Sequence, residues 1–221
     1  MELSDVAPDR AWDLASPGSA CALRDGSVLV ELLRSFGSDA TIWARKLAER
    51  FGSTAGVLAA TPAALERVLG AGNPAIRHIF MVRHVMLHVL RAEAAKAPVL
   101  GTSEGLIDYL FADMAYLPVE RLRVLFLNSK NRLLSDELVS DGSVNEAPFY
   151  PREIMRRALE VGATALILAH NHPSGDPQPS DADIRATRRV AEAGRALDIR
   201  LHDHVIVARS GWSSLRMLGL I

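Results

Sequence analysis

The stretch His170-Asn171-His172-Pro173-Ser174-Gly175-Asp176-Pro177-Gln178-Pro179-Ser180-Asp181-Ala182-Asp183 brings two imidazoles and a carboxylate close together in sequence. Side chains two apart on a strand point to the same face, so His170 and His172 converge if they end a strand. Three prolines and a glycine then take the chain through a stiff loop. Asp183, in the first turn of a following helix, is placed to swing back towards the two rings. Two histidines and one carboxylate leave an open position on a tetrahedral zinc, and an open position is where a water can be activated. Taken alone, Ser180-Asp181-Ala182-Asp183 is a helix-capping pattern and His-x-His a common strand end. Only their joint spacing points to a metal.

The elements that must carry these groups are legible on both sides. Ala163 to His170 (ATALILAH) is a continuous apolar run of the kind buried in a sheet, and Asp181 to Leu197 has helical spacing. Ile199 to Ala208 is a further strand. Upstream, Leu122 to Leu127 and Leu133 to Val139 read as strands, a turn at Asp141-Gly142 leads to a short extended piece over Ser143 to Ala147, and Pro151 opens a helix that stops at Gly162. Before them Ser103 starts a helix running to Tyr116. The order α, β, β, (β), α, β, α, β predicts a mixed sheet flanked by helices.

Residues 1–98 read differently. Val28 to Phe36, Ala40 to Phe51, Thr54 to Ala60 and Pro62 to Leu69 each have helical spacing and a stop, and Ala75 to Ala95 reads as one long helix. This predicts a small all-α bundle. His84 and His88 on the long helix have the i, i+4 spacing of a metalloprotease helix. Val85 stands where that motif needs its glutamate, so they read as surface histidines.

Composition narrows the function classes. Hydrophobic residues make up 49% and charged residues 23% of the 221, with a formal net charge of −1, an ordinary globular balance. Neither half is basic, so any nucleic-acid contact must come from a local surface. No apolar run is long enough for a membrane span, and the acidic start of the chain argues against a secretory signal. The single cysteine, Cys21, has no internal partner for a disulfide. A cytoplasmic location, with no membrane partner, is expected.

His-x-His, seven residues and then Ser-x-x-Asp resembles the JAMM signature of the JAB/MPN zinc metalloproteases. The longer string, with PREIMRRALEVGATALILA before it and LHDHVIV after it, is similar to the bacterial RadC branch (UPF0758-type proteins) over about residues 28 to 221. The resemblance implies a JAB/MPN, cytidine-deaminase-like fold over 99–221 behind a helix-hairpin-helix-like bundle over 1–98. It implies zinc (Zn2+) held by His170, His172 and Asp183, with Ser180 assisting the oxyanion. A catalytic glutamate is also implied. Glu120, leading into the first strand, fits best, and Glu146 and Glu153 are rivals. Asp203 and His204 are a family feature that sits either behind the metal or at the core edge, and His202 shares the strand face of His204.

Two functions follow from the resemblance. One is a metallopeptidase or isopeptidase-like hydrolase acting on a peptide or protein substrate that the sequence does not name. The alternative is a DNA-associated repair or recombination accessory whose zinc site is structural or vestigial. For DNA, the expected contact is the turn Leu69-Gly70-Ala71-Gly72-Asn73-Pro74-Ala75. It keeps two glycines, but Pro74 removes an N–H and Leu69 replaces the usual lysine, so only weak DNA contact is expected.

Overall fold

The structure is a computed structural model describing residues 20–96, 98–99, 103–141 and 150–221. The N-terminal part comprises α1 (Ala20–Leu33), a 3-10 turn at Arg34–Phe36, α2 (Asp39–Phe51), α3 (Thr54–Ala59), α4 (Pro62–Leu69) and the long α5 (Pro74–Lys96). Local chemistry sets these boundaries. Gly52 closes α2 in the left-handed conformation (φ 78°), while Ser53 and Thr61 cap α3 and α4 by accepting N–H bonds from Gly56 and Ala64.

After α6 (Glu104–Met114) come β1 (Arg121–Leu127), β2 (Leu133–Asp141), α7 (Pro151–Glu160), β3 (Ala165–Asn171), α8 (Asp181–Arg195), β4 (Arg200–Ala208) and β5 (Gly211–Ser214). The sheet order is β2-β1-β3-β4-β5, with β3 and β4 parallel and the other pairs antiparallel. This is the mixed sheet expected from the sequence. Strand β5 is an addition, because Gly-Trp-Ser-Ser has no apolar alternation and is ordered by pairing with β4. The expected extended piece at Ser143 to Ala147 lies outside the described residues, as does Glu146.

Strand β3 is buried along its whole length, which its run of Ala, Leu and Ile requires of a strand covered on both faces. Leu166 and Leu168 pack with Val124, Phe126, Ile154, Ala158 and Val190 under α7 and α8. Ala165, Ile167 and Ala169 pack on the other face with Leu106, Leu110 and Met114 of α6. Each fully buried Leu or Ile contributes about 1.5–3 kcal/mol relative to exposure, so the strand that carries the histidines is firmly held.

The bundle has its own core around Leu29, Leu33, Leu47, Val57, Leu65 and Ile79. Helix α5 belongs to both cores. Ala75, Ile76 and Ile79 sit in the bundle, whereas Leu87, Leu90 and Ala94 pack against the sheet layer. Between these halves Arg83 donates to the Leu58 carbonyl (3.3 Å) and the Asp113 carbonyl (3.1 Å), tying α3 to α6.

Candidate metal centre

His170 emerges at the end of β3 on the face shared by Leu166 and Leu168, and is almost wholly buried. His172 lies just beyond the strand, and its N–H still donates to Val207 O (3.0 Å), so the β4 pairing carries it in line with His170. The proline-rich loop is stapled on its outer side. Arg209 donates to the Pro173 and Ser174 carbonyls (3.3 and 3.4 Å) and Ser213 Oγ to Pro177 O (2.6 Å). Gly175 has φ +94° and its missing Cβ would lie 3.3 Å from the Arg209 guanidinium, so glycine is required at this bend.

The loop ends in a capping box. Asp183 N–H donates to Ser180 Oγ (3.1 Å), and Ser180 N–H donates to Asp183 Oδ2 (2.8 Å). The capping motif read in the sequence is therefore real, and it is also what turns the Asp183 carboxylate towards the histidines. His170 Nε2 lies 2.9 Å from His172 Nε2 and 3.3 Å from Asp183 Oδ1, and His172 Nε2 lies 3.4 Å from Asp183 Oδ2. Among the described residues this is the group of histidine, cysteine and acidic side chains whose donor atoms come together as a metal site would need.

The spacing fits zinc. Bonds of about 2.0–2.1 Å in tetrahedral geometry put ligand atoms about 3.3–3.4 Å apart. Two of the three separations have that value, and the 2.9 Å one is the distance at which two nitrogens share a proton. His172 Nδ1 faces Asp176 O at 2.9 Å and must donate to it, leaving Nε2 to face the other two groups.

Electrostatics sharpen the picture. Burial pushes His170 down to about 4, against the pull of Asp183 and with the help of His172. For His172 burial acts downwards too, but the bonds to Asp183 and the Asp176 carbonyl, with the charges of Asp183 and Glu120, raise it above the ordinary range. Burial would raise Asp183, yet His172, His170 and Ser180 together hold it far below a normal carboxylate. The centre therefore keeps a permanent anion beside one neutral and one readily protonated imidazole.

Glu120 immediately precedes β1. Leu122 pairs with His170 across the antiparallel β1/β3 ladder, so continuing the register by two residues sets Glu120 opposite His172. The buried Asn171 fixes this approach, with its side chain accepting from Arg121 N–H (2.9 Å) and donating to Val119 O (3.0 Å). Glu153 is exposed on α7 and paired with Arg156 (3.0 Å), a use that accounts for it without catalysis. Ser180 Oγ donates its proton to Asp183 Oδ2 at 2.6 Å, so in this state the hydroxyl orients the carboxylate.

The last long strand departs from simple alternation. Leu166 pairs with Leu201 and Ile167 with Asp203, which makes His202 the extra residue of a β-bulge. His202 and His204 therefore do not share a face, contrary to the period-2 expectation. His202 Nε2 meets Asn131 Oδ1 (2.8 Å), while the fully buried His204 places Nε2 2.7 Å from His170 Nδ1 and Nδ1 2.6 Å from Thr187 Oγ1. Asp203 turns to the other side and holds Ser214 Oγ (2.7 Å) and the N–H groups of His204 and Arg216 (2.7 and 3.2 Å). Asn171 and Thr187 are the residues that sequence reasoning missed. An asparagine inside His-x-His and a threonine four residues after the aspartate were the available signals.

His84 and His88 are exposed on α5, away from this cluster. In the bundle turn Gly70 and Gly72 take φ 93° and 74°. The N–H groups of such a turn are occupied internally. Ala75 N–H donates to Asn73 Oδ1 (2.9 Å), Ile76 N–H to Asn73 O (3.1 Å) and Asn73 N–H to Gly70 O (3.4 Å). A cavity of about 540 Å³ lies between the bundle and the sheet domain, lined by Arg50, Phe51, Gly56 and Thr61 on one side and by Tyr116, Pro118, Pro173 and Arg209 on the other.

Comparison with known proteins agrees with this architecture. Residues 100–220 match the family described as the RadC-like JAB domain. A UPF0758 protein of Rhodobacter capsulatus is 44% identical over 178 residues, which cover 80% of this chain and 83% of that protein. The five-stranded sheet with its flanking helices is thus a JAB/MPN fold preceded by a helical region, and the chain belongs to the RadC family.

Proposed function

We propose that this protein is a zinc-dependent hydrolase that cleaves an amide bond in a peptide or protein substrate. The observation that carries the reading is the triangle formed by His170 Nε2, His172 Nε2 and one carboxylate of Asp183, with sides suited to three ligands of a tetrahedral ion. A zinc ion there supplies Lewis acidity, acidifying water and polarising a carbonyl. The chain's own groups supply the rest. Glu120, held by Asn171 beside His172, accepts a proton from the attacking water and returns it to the departing amine nitrogen. Ser180 carries a hydroxyl at the rim that can donate to the substrate's carbonyl oxygen as negative charge develops, once it releases Asp183. The cavity ending at Pro173, next in the chain to His172, gives flanking substrate residues a place to lie.

The test couples metal analysis to turnover. Wild-type protein is expected to bind one zinc per chain, and His170→Ala or Asp183→Ala to fall well below one equivalent. Glu120→Gln is expected to keep its zinc and its fold while hydrolysis of a peptide library drops by roughly 100-fold or more. Full zinc retention in both ligand variants would refute the ligand assignment. A Glu120→Gln variant with undiminished hydrolysis would remove the proposed base.

A further inference from the structure

Behind the candidate ligands runs a chain of short, buried hydrogen bonds that starts and ends at the centre itself. Thr187 lies one helical turn after Asp183 on α8, and its hydroxyl donates to the Asp183 backbone carbonyl at 2.6 Å. A carbonyl only accepts, so the single hydroxyl proton is committed there. Towards His204 Nδ1, at 2.6 Å, Thr187 Oγ1 therefore acts as an acceptor, and His204 must carry its proton on Nδ1. Burial keeps both His204 and His170 neutral, so each ring has one protonated and one bare nitrogen. The bare Nε2 of His204 then receives the proton on His170 Nδ1 across 2.7 Å. By elimination His170 Nε2 is bare, and it faces His172 and Asp183.

We infer that Thr187 and His204 are positioning residues that lock His170 in the Nδ1-protonated tautomer, so that its Nε2 lone pair is presented to the metal before any ion arrives. The arrangement differs from a lone carbonyl or carboxylate behind a ligand histidine, because the tautomer is dictated two residues away by the direction of one hydroxyl. It also ties two of the candidate ligands together. The backbone of Asp183 orients Thr187, Thr187 orients His204, and His204 orients the ring of His170. Replacing Thr187 by valine keeps the shape and removes the acceptor. His204 Nδ1–H then has no partner in a dry site, and moving its proton to Nε2 forces His170 to carry its own proton on Nε2, facing the centre.

The inference rests on the proposed metal centre for its purpose, but its test does not depend on activity. In zinc-free wild-type protein labelled with nitrogen-15 in histidine, long-range proton–nitrogen spectra at neutral pH are expected to show protonated Nδ1 and bare Nε2 on both His170 and His204. Thr187→Val is expected to lose this pattern and to bind zinc about 10- to 100-fold more weakly in chelator competition, the range for losing an outer partner of a metal ligand. Thr187→Ser is expected to restore both. A wild-type spectrum with the proton on His170 Nε2 would overturn the inference, and so would a folded Thr187→Val variant whose zinc affinity stays within about twofold of wild type. If Thr187→Val does not fold, the wild-type and Thr187→Ser spectra decide the matter. If wild-type protein binds no zinc the hydrolase reading fails, and the tautomer pattern still decides this one.

Discussion

Asn171 gives the sharpest prediction, because a single side chain between two candidate ligands does a second job. It is fully buried, accepts from Arg121 N–H at 2.9 Å and donates to Val119 O at 3.0 Å, clamping the backbone on both sides of Glu120. Asn171→Ala removes both bonds and leaves a backbone donor and a backbone acceptor without that partner where β1 begins. An unsatisfied buried group costs about 1–3 kcal/mol, and the two here are only partly shielded, so a loss of about 2–4 kcal/mol is expected. For a chain of this size 1 kcal/mol shifts Tm by about 2–4 °C, which puts the drop at roughly 4–16 °C. Urea unfolding of the zinc-free protein measures the stability, and zinc binding and turnover measure the site. Zinc binding should survive, because His170, His172 and Asp183 are untouched, while hydrolysis should fall as Glu120 loses its mooring. A variant within about 0.5 kcal/mol of wild type, with normal turnover, would refute the claim that Asn171 positions Glu120.

Other outcomes follow from the same geometry. Ser180→Ala should cost about 1 kcal/mol of stability through the lost helix cap, together with a much larger fall in turnover at saturating zinc; thermal melts compared with rates separate the two, and wild-type turnover would leave Ser180 as a cap alone. Acid should destabilise the zinc-free protein early. His170 is depressed to about 4 and His204 is also depressed by burial, so between pH 6.5 and about 4 the unfolded chain binds more protons and stability falls as pH falls. Asp183, also depressed, should add its own loss only as pH drops below the ordinary carboxylate range, and urea titrations across pH 4–8 with a flat profile would contradict this. For DNA, a near-neutral chain whose turn N–H groups are internally bonded should bind duplex only in the roughly 10⁻⁴ to 10⁻⁶ M range at physiological salt, and a sub-micromolar complex in anisotropy titrations would favour the repair-accessory reading.

Much of the architecture is written locally. The apolar run that became β3, the proline and glycine marking α7, the Ser-x-x-Asp cap of α8 and the stop signals of the bundle each depend on near neighbours in sequence, so they are legible without a fold. The spacing His-x-His with a later aspartate was legible for the same reason: a strand end and a first helical turn have only a few ways to meet across a stiff loop. Tertiary structure decided what depends on pairing between distant segments. Strand β5 exists because β4 offers an edge, and the bulge at His202 arises from the register of β3 against β4. That bulge sends His202 to Asn131 and leaves His204 behind His170, which no periodicity could reveal. The antiparallel register of β1 with β3 likewise sets Glu120 beside His172, some fifty residues away, and leaves Glu153 on an exposed helix. Hydrogen-bond direction in a buried chain of side chains is set only when every donor and acceptor has been brought together, so the roles of Asn171 and Thr187 belong to the fold and not to the sequence alone.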